Sequence, residues 1–242
     1  MKKLLLALML VPVAALASSD AKYDTAPVNQ HDKISLQRGA RIFVNYCVTC
    51  HNAAYMRYNR LQDLGLTEQQ IKDNLMFAVA KRVGDTMTVA MDKSDAKDWF
   101  GAPPPDLSLI ARVRGADWLY TYLRSFYRDD STHTGWNNTV FPLVGMPHVL
   151  HELQGVQMLK TEEKTDSQGH QHEDHKLILE KPGVLTPQQY DMLVADLVNY
   201  LVYMAEPARN FRVQLGMFVL IFLGILFVLT YALKKEFWKD VH

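Results

Sequence analysis

Residues 47–51 read Cys-Val-Thr-Cys-His, a C-x-x-C-H run of the kind that attaches a c-type haem. Positions i and i+3 of a helix share a face, so the thiols of Cys47 and Cys50 can each add to a vinyl group of one haem. His51 can then present a ring nitrogen to the iron as the proximal ligand. A zinc site would need a second pair of ligands, and the chain has no other cysteine, while a thiol redox site would not need the histidine. The motif therefore predicts one covalent haem c, around which the domain must fold.

The first 17 residues have the pattern of a secretory signal peptide. Lys2 and Lys3 precede an apolar run over residues 4–16, and Ala15-Leu16-Ala17 resembles a cleavage site. Export agrees with covalent haem attachment and places the domain in an oxidising compartment. With both cysteines used for haem, no disulfide within the chain is expected.

A second apolar segment, residues 213–233, contains 21 residues and no charge. At 1.5 Å per residue it is long enough for the roughly 30 Å hydrocarbon core of a membrane. A buried core helix is the alternative, but soluble helices rarely run this long without a polar face. The exported N-terminus and the lysines of the short tail predict a single span of a bacterial inner membrane. The predicted segments are a signal peptide at 1–17, a periplasmic haem domain at 18–210, a transmembrane anchor at 211–234 and a cytoplasmic tail at 235–242.

The formal net charge of zero conceals an acidic outer domain. Residues 18–205 carry 19 basic and 23 acidic residues, a net charge of −4. This balance argues against nucleic acid as a partner. It mildly favours a basic protein partner, although the same charge also serves solubility alone.

Most of the domain is predicted to be helical. Apolar residues recur at helical spacing over residues 34–46, so the haem motif closes an amphipathic helix. Thr67 and Gln70 form a capping box, and the helix that it opens is expected to reach about Arg82. Three more helices are predicted: a short one capped by Asp106 or Ser108, one over residues 116–127, and one from the Thr186 capping box to Pro207.

Two short runs, residues 156–159 and 176–179, predict a small β-hairpin, and the polar residues 161–175 between them predict a long, mobile tip. His170, His172 and His175 lie in this tip, where a metal site or a solvated loop are both open interpretations. Residues 131–143 are expected to form an irregular loop. The predicted fold is a mainly α c-type cytochrome domain with loop insertions and a small β-hairpin, plus one C-terminal transmembrane helix.

The iron needs either a sixth ligand, for electron transfer, or an open position, for catalysis or gas binding. Met146 is the leading candidate, because Gly145 permits close backbone approach and Pro147 fixes the turn, and a methionine ligand raises the reduction potential. The alternatives that remain are Met87, Met91, His148, His151 and an open site. An arginine is the usual partner of haem propionates, so Arg112 and Arg114 are candidates, although either can also be ordinary surface charge.

Several separate stretches together resemble the cytochrome c1 family, the haem-bearing subunit of the cytochrome bc1 complex (ubiquinol–cytochrome c reductase). The matching residues occur in the family's order along the chain: Gln37-Arg38-Gly39, Cys47–His51, Tyr55, Tyr58-Asn59-Arg60, Pro104-Pro105-Asp106-Leu107-Ser108, Arg112-Val113-Arg114, Gly145-Met146-Pro147 and Ala205-Glu206-Pro207. Compared with the mitochondrial pattern, the segment between the haem motif and Pro103 is shorter, and the polar residues 161–175 have no obvious counterpart. The length and the signal peptide suggest a bacterial form.

This resemblance implies a function and a set of site residues. Cys47 and Cys50 would hold the haem, with His51 as proximal and Met146 as distal iron ligand. Arg114 would bind a haem propionate, and Pro105 would pack beside the haem. The resemblance also implies that the chain takes electrons from a Rieske iron–sulfur subunit, passes them to a soluble cytochrome c, and works with cytochrome b in a dimeric membrane complex. Such a subunit transfers electrons and is not catalytic alone.

Two other functions remain as alternatives. One is a stand-alone cytochrome, tethered to the membrane, that delivers electrons to a terminal oxidase. The other is a haem enzyme with an open iron site, such as a peroxidase or reductase. A di-haem peroxidase would need a second C-x-x-C-H run, which the chain does not contain.

Overall fold

The structure, a computed structural model, describes residues 23–77, 79–165 and 171–240. The predicted signal peptide lies outside the described residues. The helices are α1 Lys33–Ile42, α2 Glu68–Leu75, α3 Lys93–Phe100, α4 Ile110–Arg114, α5 Ala116–Arg124, α6 His151–Gln154, α7 Pro187–Ala205 and α8 Arg209–Phe237, with a π-helical turn at Phe43–Cys47 and a 3₁₀ helix at Tyr58–Leu64. Three antiparallel pairs join β1 Ala53–Arg57 to β2 Thr86–Met87, β3 Phe126–Arg128 to β4 Trp136–Asn138, and β5 Gly155–Thr165 to β6 Gln171–Pro182. Helices, small hairpins and one long apolar C-terminal helix confirm the predicted fold class.

The centre of the domain is the crossing of α1 and α7. Gly39 of α1 lies directly against α7, where a Cβ atom would come within 2.1 Å of the Asp196 carbonyl oxygen. The Arg38 guanidinium contacts the Asp196 carboxylate beside the crossing, with Nε 2.5 Å from Oδ2. One turn further, the rings of Phe43 and Tyr200 pack with centroids 5.5 Å apart. The crossing therefore fixes the end of α1 from which the haem motif continues.

Replacing Gly39 by alanine is expected to destabilise the domain by about 1–3 kcal/mol or more. The methyl group would meet a backbone carbonyl of α7, which cannot move aside as a flexible side chain can. The measurement is urea unfolding of the haem-loaded protein. Gly84→Ala is the matched control, because a Cβ atom there meets nothing within 4 Å. Equal unfolding midpoints for the two variants would contradict the close crossing.

Helix α7 begins as the sequence predicts. Thr186 and Gln189 form a reciprocal capping box, in which the Thr186 hydroxyl accepts from the Gln189 backbone N–H and the Gln189 side chain accepts from the Thr186 N–H. Tyr190 then donates its hydroxyl hydrogen to the Leu123 carbonyl at 2.8 Å. This bond ties α7 to α5, one wall of the site described below.

Helix α2 opens at the predicted capping box but ends at Leu75, so its predicted extension to Arg82 is wrong. The Asp85 carboxylate accepts hydrogen bonds from the backbone N–H groups of Lys81 and Arg82. This local turn competes with helix for the same donors. Ala78, which the prediction placed inside the helix, lies outside the described residues.

The segment before α4 also differs from its prediction, because neither Asp106 nor Ser108 caps the helix. The Asp106 carboxylate instead accepts from the backbone N–H groups of Ala54 and Ser108. The Ser108 hydroxyl accepts from the Tyr55 N–H at 3.1 Å. These side chains bind the proline-rich segment to the strand that follows the haem motif. Helix α3, which the sequence did not predict, opens at an Asp92 cap.

The C-terminal hairpin is longer than predicted. Its ladder of paired residues continues from Gly155 opposite Pro182 to Thr165 opposite Gln171. The residues between the two strands are therefore only 166–170. These residues, which include His170, lie outside the described residues. Residues 131–143 contain strand β4 and are not wholly irregular. Among the described residues no three metal-ligating side chains cluster, and the His175 Nδ1 atom lies 3.1 Å from the Thr161 hydroxyl.

Helix α8 holds the apolar segment found in the sequence. It runs over 29 residues, its most apolar window has a mean hydropathy of 2.5, and none of that window is buried within the chain. Glu206, just before the helix, contacts the guanidinium group of Arg212 and lies 3.7 Å from that of Arg112. These contacts link the N-terminal end of α8 to α4 through charged side chains.

Candidate haem site

A cavity of about 330 Å³ lies beside the haem motif, a size typical of cofactor pockets. Its walls are mostly apolar and come from parts of the chain that are far apart in sequence. The lining residues include Tyr46, Cys47, Cys50, His51, Phe100, Pro105, Arg114, Trp118, Tyr122, Phe141, Met146 and Leu197. All six predicted site residues are in this set.

The two cysteines reach the cavity through a π-helical turn. The chain widens over Phe43–Cys47, and the Cys47 carbonyl then accepts from the N–H groups of both Cys50 and His51. Such widened turns occur often at functional sites. Burial raises the pKa of the Cys47 thiol to about 12 and also raises that of Cys50.

His51 is held in the tautomer that an iron ligand needs. Its Nδ1–H donates to the Pro105 carbonyl oxygen at 2.8 Å, which leaves the Nε2 lone pair free. Burial lowers the pKa of His51, although the Pro105 hydrogen bond and the Asp106 charge act in the opposite direction. A neutral imidazole with an oriented ring is the form in which histidine binds metals. Pro105, predicted to pack beside the haem, lines the cavity and also orients this ligand.

Met146 lines the same cavity, and the structure supplies the reason for the glycine before it. A Cβ atom on Gly145 would lie 2.6 Å from the Phe100 carbonyl oxygen. The loop can therefore pack against the end of α3 only with glycine at this position. The Met146 sulfur accepts a hydrogen bond from the Tyr122 hydroxyl at 3.4 Å.

The other candidates for the sixth ligand lie elsewhere. Met87 is fully buried in β2, and its sulfur is 3.8 Å from the Tyr200 hydroxyl in the core. His148 lies 2.6 Å from the Gln154 side-chain oxygen, stacks on Phe126, and has its pKa lowered by burial to about 4. His151 bonds to the His148 carbonyl, and neither it nor Met91 lines the cavity. Of the candidates, only Met146 shares the cavity with His51.

Arg114 offers a positive charge at the cavity wall. Its guanidinium lies over the Trp118 ring, 5.0 Å from the centroid, and 5.7 Å from that of Phe141. No carboxylate among the described residues forms an ion pair with it, whereas Arg112 is close to Glu206. An arginine without a carboxylate partner beside an apolar cavity suits a propionate.

The donor set fits a haem c. One wall offers two thiols and an oriented imidazole, a loop offers a thioether, and the edge offers a guanidinium. Sequence reasoning missed one polar group of the wall, the Tyr122 hydroxyl. Tyr122 lies in the helix predicted over residues 116–127, but no local pattern indicates a bond to a residue 24 positions away.

Residues 23–174 and 183–241 match the model of the Cytochrome C1 family. The chain belongs to the cytochrome c1 family. It is 50% identical over 246 residues to a cytochrome c1 of Allochromatium vinosum, covering the whole of both chains. It is 52% identical over 242 residues to a Nitrosomonas europaea protein named ammonia monooxygenase gamma subunit, covering all of this chain and 98% of that one. A mitochondrial cytochrome c1 of Neurospora crassa is 28% identical over 233 residues, which cover 86% of this chain and 62% of that protein.

Membership confirms the resemblance found in the sequence. Cytochrome c1 proteins bind one covalent haem c, and the chain is a haem electron-transfer subunit of the bc1 complex. The long apolar helix α8 fits a membrane anchor. The ligand set and the direction of electron flow go beyond this and are proposals.

Proposed function

We propose that this chain accepts electrons from a Rieske iron–sulfur subunit and passes them to a soluble cytochrome c, within a dimeric bc1 complex that also contains cytochrome b. The observation that carries the proposal is that His51 and Met146 line one mostly apolar cavity. When bound there, the haem supplies a one-electron couple, and a histidine–methionine ligand pair gives it a raised potential. An iron with both axial positions filled suits a carrier better than an enzyme that must bind substrate at the metal.

The protein's own residues have distinct tasks in this proposal. Cys47 and Cys50 would hold the haem covalently, and the Pro105 carbonyl, by accepting from the His51 Nδ1–H, leaves the Nε2 atom free to bind the iron. Arg114 binds a propionate, while the apolar walls formed by residues such as Trp118 exclude water. A dry, preorganised site changes little between oxidation states, which keeps electron transfer fast.

Isolation of the native complex tests the proposed partners. Full-length protein carrying a C-terminal affinity tag would be purified from membranes of its own host in mild detergent. We expect a b-type haem protein and an iron–sulfur protein to co-purify, at a mass of two copies of each. The preparation should reduce a basic soluble cytochrome c with a quinol as donor. The rate should fall as ionic strength rises, because the outer domain is net negative and salt screens such attraction beyond about 10 Å at 0.1 M.

Other outcomes would point to other functions. Isolation without partners would favour a stand-alone tethered cytochrome that serves a terminal oxidase. Co-purification with the subunits of a monooxygenase would connect this chain to the name of its Nitrosomonas relative. Either result would contradict the proposed assembly.

We also propose that residues 1–17 are removed on export, that the haem domain 18–210 lies in the periplasm, and that residues 211–234 cross the inner membrane. The short tail, residues 235–242, would then be cytoplasmic. Support comes from the apolar helix α8 and from the lysines at its C-terminal end and just beyond it, Lys234, Lys235 and Lys239.

Protease treatment of intact spheroplasts tests this topology. The haem domain should be digested while a C-terminal tag stays protected until the membrane is broken. The mature protein should begin at residue 18. Loss of the tag from sealed spheroplasts, or a haem domain that resists the protease, would contradict the proposed orientation.

A further inference from the structure

A tyrosine hydroxyl is bonded to the sulfur of the proposed distal ligand. The Tyr122 oxygen lies 3.4 Å from the Met146 Sδ atom, and only the hydroxyl can donate in this pair. Tyr122 is 9% exposed, and a buried hydroxyl needs a partner. A thioether sulfur has two lone pairs, so one can accept this hydrogen while the other stays available to bind the iron.

The Tyr122 ring is held so that its hydroxyl cannot easily turn away. It stacks on Trp118 with centroids 4.7 Å apart and planes 11° apart, and the ring of Phe126 meets it at 5.1 Å. The Asn138 side-chain amide donates to the Tyr122 carbonyl at 2.8 Å. The Arg114 guanidinium also lies over the Trp118 ring, 5.0 Å from its centroid. The stack thus continues from the proposed propionate partner to the proposed iron ligand.

We propose that Tyr122 is a positioning residue for Met146, which both orients the thioether and raises the reduction potential of the haem. This inference rests on the proposed role of Met146 as distal ligand. A hydrogen bond withdraws electron density from the sulfur and makes it a weaker donor. A thioether favours ferrous iron because it is a soft and weak donor, and lowering the electron density on the sulfur further strengthens that preference.

The test is Tyr122→Phe in the full-length, haem-loaded protein, with the midpoint potential and the spin state as readouts. Phenylalanine keeps the ring and its stacking, so haem attachment and the low-spin spectrum should persist. The equilibrium with a fixed redox partner should shift about fivefold toward the ferric form, which corresponds to about 40 mV at 59 mV per decade. Tyr120→Phe is the matched control. It lies on the same helix, does not line the cavity, and packs under Arg124 instead.

A double-mutant cycle separates this effect from a general structural one. In a Met146→Leu background the Tyr122 hydroxyl has no thioether sulfur to bond, so Tyr122→Phe should leave the reduction potential unchanged. An equal shift in both backgrounds, or no shift in either, would overturn the inference. If Met146→Leu itself changes neither potential nor spectrum, the distal-ligand assignment fails and this inference fails with it. If Met146→Leu changes the potential but Tyr122→Phe does not, the assignment of Met146 as distal ligand stands and the proposed role of Tyr122 is wrong.

Discussion

Met146→Leu is expected to lower the reduction potential on the order of 100 mV, within the roughly 0.8 V range that axial ligands span. Leucine nearly conserves the volume of methionine, so the loop and the cavity should persist at a cost below about 1.5 kcal/mol. The iron, however, loses a soft sulfur ligand that favours the ferrous state. Each 59 mV is a factor of about ten in a one-electron equilibrium, so reduction by an iron–sulfur partner should become unfavourable.

Redox titration of the full-length protein measures this change, and carbon monoxide binding shows whether the sixth position has opened. Met87→Leu is the matched control. Its sulfur is buried in the core beside Tyr200 and does not line the cavity, so its potential and spectrum should match those of the unmodified protein. A Met146→Leu protein that stays low-spin at its original potential would show that another residue is the distal ligand.

The paired substitution Cys47→Ala with Cys50→Ala should abolish haem staining after denaturing electrophoresis, because only thioether bonds keep haem on an unfolded chain. The loss should also reduce the amount of folded protein. Without haem, the mostly apolar walls of the cavity of about 330 Å³ lose the partner against which they would be buried. Folded domains have a total stability of only about 5–15 kcal/mol, so this loss should measurably lower the folded fraction.

Staining is compared with an immunoblot of the same membranes, which reports the amount of chain. Each single alanine variant serves as a control, since one remaining thiol can still form one thioether. A double variant whose haem staining, relative to its immunoblot signal, equals that of the unmodified protein would contradict covalent attachment through these cysteines.

Several features of this protein are determined by signals that act over a few residues or along one segment. The spacing of Cys47, Cys50 and His51 depends only on the chain between them. The capping boxes at Thr67 and Thr186 join residues three positions apart, and the apolar length of α8 is a property of that segment alone. For that reason the sequence predicted the haem, the starts of two helices, the long apolar helix and, from the order of its motifs, the family.

Helix ends and the roles of capping residues depended instead on competing partners. Helix α2 ends at Leu75, and the Asp85 carboxylate accepts from the Lys81 and Arg82 N–H groups that the predicted longer helix would use. Asp106 looked like a local cap, but it accepts from Ala54, 52 residues away in the chain. Such competition is decided by which partner the folded chain brings near, and a local pattern does not contain that information.

The site itself shows the same division. Sequence reasoning proposed Met146 and left Met87, Met91, His148 and His151 open, because all are chemically able to bind iron. Only the packing of distant segments decided which of them shares a cavity with His51, and it also brought the Tyr122 hydroxyl to the Met146 sulfur. Local chemistry determined what each side chain can bind. The tertiary structure decided which side chains meet, since closing loops of 50 to 100 residues is governed by burial of the whole core and not by the residues at their ends.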